Sequence, residues 1–104
     1  IAARVPHLME RVAWLATLPP VFSGVVLDNE VLDAMPVEVI RTTATGAIEQ
    51  GGVSAAGDGF AWAWHPAAGA VLAAAQGLAL PPGYTTELAL AADAFVASIG
   101  AALE

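Results

Sequence analysis

The run Gly24-Val25-Val26-Leu27 constrains this chain more than any other feature. It is short, β-branched and apolar at every position, with no polar face to turn toward water. That pattern belongs to a buried central strand, typically a parallel one covered by helices on both sides. One such strand is not a sheet, so its neighbours are expected from sequence outside these residues. Composition points the same way. Hydrophobic residues make up 58% before the ten Gly are counted, and only 12% are charged, against about 45–50% and roughly 25% in ordinary domains. A domain of 104 residues has much surface for its volume and should be more polar than average. The chain opens at Ile1 and stops at "SIGAALE", inside a helical pattern with no stop signal. We read it as an internal segment of a longer protein; the alternative is an Ala-rich domain that dimerises.

Residues 4–16 carry Val5, Leu8, Val12 and Leu15 at helical spacing, with Pro6 in the first turn. "TLPPVFSG" breaks that pattern. After the 24–27 strand, residues 29–35 can form a short helical turn, with Asp28 or Asn29 as N-cap and Pro36 ending it. Residues 37–45, 47–53 and 59–65 read as strands of an antiparallel meander. A helix is expected over 66–80, opened by Pro66. A short strand over 84–88 and a helix over 89–104 follow, the latter with Leu88, Ala92, Phe95, Val96, Ile99 and Leu103 on one face. Buried strands alternating with helices make an α/β architecture, with the meander as an insertion.

Three basic residues against ten acidic ones give a net charge of -7. No basic patch exists to neutralise phosphates, which argues against nucleic acid and against an anionic membrane surface. A basic substrate, such as a protein arginine or lysine, is electrostatically permitted. The absence of Cys removes disulfides and thiolate metal sites, and two distant His make no metal motif. No window reaches the length of a membrane span, and no charged-then-apolar signal opens the chain. A cytoplasmic protein is the default.

Ligands of open α/β sheets bind beyond the carboxyl ends of the strands, and Asp28, Asn29 and Glu30 sit at such an end. If residues 29–35 are helical, Glu30 and Asp33 share a face. Two acids there can clamp a guanidinium or take a proton from a nucleophile. The residues equally allow a plain reading, in which Asn29 caps a turn and the acids favour its N-terminus. Phe60, Trp62 and Trp64 alternate on one strand face, as an aromatic cage for a cation or as a packing face against helices. His7 and His65 are candidate bases without visible partners, and Glu87 is either a substrate-facing acid or a solvated cap. Gly51-Gly52 reads as turn glycine, since no strand-Gly-x-Gly-helix context surrounds it.

"GVVLDNEVLDAMPV" resembles the signature of the MidA-like S-adenosylmethionine-dependent methyltransferases, which include bacterial proteins and a mitochondrial complex I assembly factor. In that pattern a strand is followed by Asn-Glu, a hydrophobic pair, Asp, small or apolar residues, and Pro-Val, here Asn29 to Val37. "RVAWLATLPP" resembles the Trp-containing segment before that strand. "LPPGYTTELALAADAFVASIGAALE" resembles the later Glu-bearing strand and helix. Asp28 departs from the pattern, which has a small residue there. The resemblance implies a Rossmann-like methyltransferase fold, of which residues 1–104 would be a partial domain. That part lies after the cofactor's glycine-rich loop and before the fifth central strand. It implies S-adenosylmethionine as cofactor of the intact protein. We assign Asp28 and Asn29 to the cofactor side. Glu30 and Asp33 would be catalytic, and the acceptor a protein arginine. For a eukaryotic member the compartment becomes the mitochondrion. The competing reading is a non-catalytic interaction module, docking a protein partner, missing parts of the same protein or a second copy through its apolar surface. A small acid-catalysed hydrolase using Glu30 and Asp33 is weaker, since nothing supplies its substrate pocket.

Overall fold

The computed structural model describes residues 4–104. Its organised part is a four-stranded sheet formed by β1 (Glu38–Thr42), β2 (Ile48–Ala56), β3 (Gly59–Pro66) and β4 (Thr85–Leu88). The strand order is β3-β2-β1-β4 and every neighbouring pair is antiparallel. The expected meander is therefore present, and the strand at 84–88 extends it along the free edge of β1. Between β2 and β3 the pair Ala56–Gly59 leaves a two-residue loop, Gly57-Asp58. Gly57 has φ +59 and occupies the first loop position, where a type II′ turn needs glycine.

Two helices flank the sheet, α1 (Gly69–Gly77) and α2 (Leu90–Ala102). The α1 helix covers one sheet face, where Ile40, Ala75 and Leu88 are buried together and Ile48, Val71, Ala74, Leu80 and Leu90 pack around them. Helix α1 is shorter than the expected 66–80. Pro66 is the last residue of β3, opposite Glu49, and does not open the helix. Thr42 pins the turn that leads into β4. It is buried, and its hydroxyl contacts the Pro81 carbonyl while accepting from the Tyr84 N–H at 3.0 Å.

The N-terminal third departs from expectation. The helix over 4–16 reduces to a short 3-10 helix, Pro6–Arg11, with no buried residue. Residues 24–27 form no strand, and Val25 and Leu27 are 83% and 90% exposed. Both follow from one cause: an apolar stripe or two-faced strand is ordered by what packs on it, and the described residues supply no layer there. The parallel sheet expected around residues 24–27 reduces to one bridge, Phe22 with Leu103. The Phe22 N–H donates to the Ala102 carbonyl at 2.8 Å, and the Glu104 N–H donates to the Phe22 carbonyl at 3.0 Å. The chain measures 61 × 38 × 19 Å with a radius of gyration of 20.1 Å, against about 13 Å for a compact domain of this length.

Candidate functional site

The segment that carries the candidate acids is placed by the Phe22–Leu103 bridge at one end and by β1 at the other. Beyond Phe22 the chain runs without a ladder partner to Asp28 and Asn29. Glu30 then turns it, and a single 3-10 turn, Leu32–Ala34, follows. The Met35 N–H closes that turn on the Leu32 carbonyl at 3.1 Å. Pro36, which has no N–H to extend it, leads into β1.

Two expectations change here. The residue capping the short turn is Val31, with no side-chain cap bond, so neither Asp28 nor Asn29 is an N-cap. Residues 29–35 are not one helix, so Glu30 and Asp33 are not joined by helical spacing; Asp33 lies inside the turn and Glu30 precedes it. The physical reason is the backbone of Glu30, whose φ of +56 lies in the left-handed region. That conformation costs an L-residue roughly 1–2 kcal/mol. Among the described residues the other non-glycine with positive φ is Ala79, at +48. Ala79 follows Leu78, the C-cap of α1, a place where helices commonly end left-handed. Glu30 ends no helix, and its strain has no such structural cause.

The side chains of Asp28, Asn29, Glu30 and Asp33 are exposed, and none makes a hydrogen bond or ion pair among the described residues. Three carboxylates and an amide thus stand within six residues with no cation of the described chain to neutralise them. An apolar groove of about 680 Å³ runs beside this segment, bordered by Leu15, Leu18, Pro19, Phe22, Val25 and Leu27. None of the four polar candidates lines it.

The remaining candidates sort differently. Phe60, Trp62 and Trp64 do share one face of β3, but no helix covers that face: Phe60 is 84% and Trp62 60% exposed. Trp62 and Trp64 stack with centroids 5.8 Å apart. The cation at these rings belongs to the chain itself, since the Arg41 guanidinium lies 4.2 Å from the Trp64 centroid. The Arg41 Nε also donates to Glu49 at 2.7 Å. Sequence reading did not find this Arg41–Glu49–Trp64 group. Its signal was Arg41 and Glu49 standing equally far from the β1–β2 loop, which makes them cross-strand partners. Gly51 and Gly52 are not turn residues but lie inside β2. A Cβ on Gly51 would sit 3.2–3.3 Å from the Trp62 and Trp64 rings, so glycine admits the rings. His7 and His65 are exposed, and the His65 ring meets only the Pro66 carbonyl, at 3.4 Å. Glu87 lies exposed in β4 opposite Val39 and caps nothing, α2 having Ala89 as N-cap with no side-chain cap bond. Among the described residues no group of His, Asp or Glu is arranged to hold a metal ion, and no helix is long and apolar enough to cross a membrane.

The geometry defines a class: a mixed α/β segment whose antiparallel sheet sits between two stretches that meet in a parallel bridge, with a strained acidic turn leading from the first stretch into the sheet. Over residues 1–104 the chain matches the family described as "Putative S-adenosyl-L-methionine-dependent methyltransferase", and it belongs to that family. Two solved structures from Burkholderia thailandensis are similar to it. One, a COG1565 superfamily member bound to S-adenosyl-homocysteine, shares 44% identity at a TM-score of 0.79, over 98% of this chain and 27% of that one. The other, a native COG1565 superfamily protein, shares 42% identity at a TM-score of 0.79, over 98% of this chain and 28% of that one. The chain thus spans a little over a quarter of the length of either relative. No curated protein matches it.

Proposed function

We propose that these residues form the acceptor-side wall of an S-adenosylmethionine-dependent methyltransferase, with a protein guanidinium as methyl acceptor. The observation that carries this reading is Glu30: an unpaired carboxylate held on a strained backbone, three residues before a second carboxylate, Asp33. Strain without a structural cause gathers at functional sites. Family membership and the relative bound to S-adenosyl-homocysteine support the chemistry. The wider assignment, a partial domain that begins after the glycine-rich loop and stops before the fifth central strand, is supported by the Phe22–Leu103 bridge. That bridge has the parallel sense such a sheet requires.

Asp28 and Asn29 fit the polar rim of the cofactor. Both side chains are exposed and unengaged among the described residues, and a carboxylate with an amide can accept from ribose hydroxyls or from an ammonium group. When bound, S-adenosylmethionine supplies an electrophilic sulfonium methyl group. The chain's own residues act on the acceptor. A guanidinium is protonated and a poor nucleophile at neutral pH. Glu30 and Asp33 would accept its N–H groups, hold its charge on the nitrogens they contact, leave the remaining nitrogen's lone pair free for the methyl group and take up the proton which that nitrogen releases.

The test is Glu30→Gln in the intact protein, with methyl incorporation and S-adenosyl-homocysteine affinity measured together. We expect turnover to fall at least 100-fold, in line with loss of a general base, while the dissociation constant moves less than threefold. Unchanged turnover would remove Glu30 from the mechanism.

A further inference from the structure

We draw no further inference here: the strongest candidate, the exposed aromatic face of β3 formed by Phe60 and Trp62 beside the Arg41–Trp64 contact, carries nothing, since nothing in the structure shows what covers it.

Discussion

Glu30 combines two unfavourable conditions, a left-handed backbone and a carboxylate with no cation near it among the described residues. The first is testable apart from the second. Glycine adopts this backbone without penalty, so Glu30→Gly should leave stability unchanged or raise it by about 1 kcal/mol in denaturant unfolding of the intact protein. The same substitution should abolish methyl transfer. A rise in stability with full activity would mean that the strain serves nothing. Ala79, the other strained non-glycine, is the control. Ala79→Gly should stabilise by a similar amount and leave turnover alone, since its left-handed backbone ends α1 and is no part of the acidic turn. The acids themselves were legible in the sequence, because "DNEVLD" concentrates charge where an apolar run stops. The strain was not legible, since residue type does not reveal φ at a non-glycine position. The helix that would have set Glu30 and Asp33 on one face does not form.

The sheet was read well where its signals are local. Alternation and β-branching marked β1, β2 and β3 to within three residues at either end. Reading failed where a residue's role depends on a neighbour distant in sequence. Gly51 looks like a turn residue until the Trp62 and Trp64 rings are seen against it. Pro66 looks like a helix opener until Glu49 is seen opposite it. Thr42 shows the same dependence. Its hydroxyl spans the gap from β1 to residues 81 and 84 and so sets where β4 enters the sheet. Thr42→Val keeps the shape and removes those bonds. It should cost about 1–2 kcal/mol, the penalty of a buried polar group left unpaired, in equilibrium unfolding of the intact protein. No loss would assign the entry of β4 to the backbone bonds between Thr42, Gly83 and Tyr84 alone.

At the scale of the molecule, the run Gly24-Val25-Val26-Leu27 and the high apolar content describe a surface that these residues do not bury. The 24–27 segment stays unpaired, the helix expected over 4–16 shrinks to a six-residue 3-10 helix, and the chain extends to 61 Å. Sequence periodicity specified what these segments are suited to, and packing partners decide whether they form. The relatives, of which this chain spans 27–28%, indicate how much further chain such a fold uses. We propose that the acceptor side of the site lies in residues 1–104 and most of the cofactor pocket in the rest of the protein. Calorimetric titration of S-adenosylmethionine into the intact protein and into residues 1–104, side by side, tests that division most directly. We expect one equivalent bound by the intact protein and no measurable heat from the segment. Absence of binding to the intact protein, or equal affinity for the segment, would contradict it.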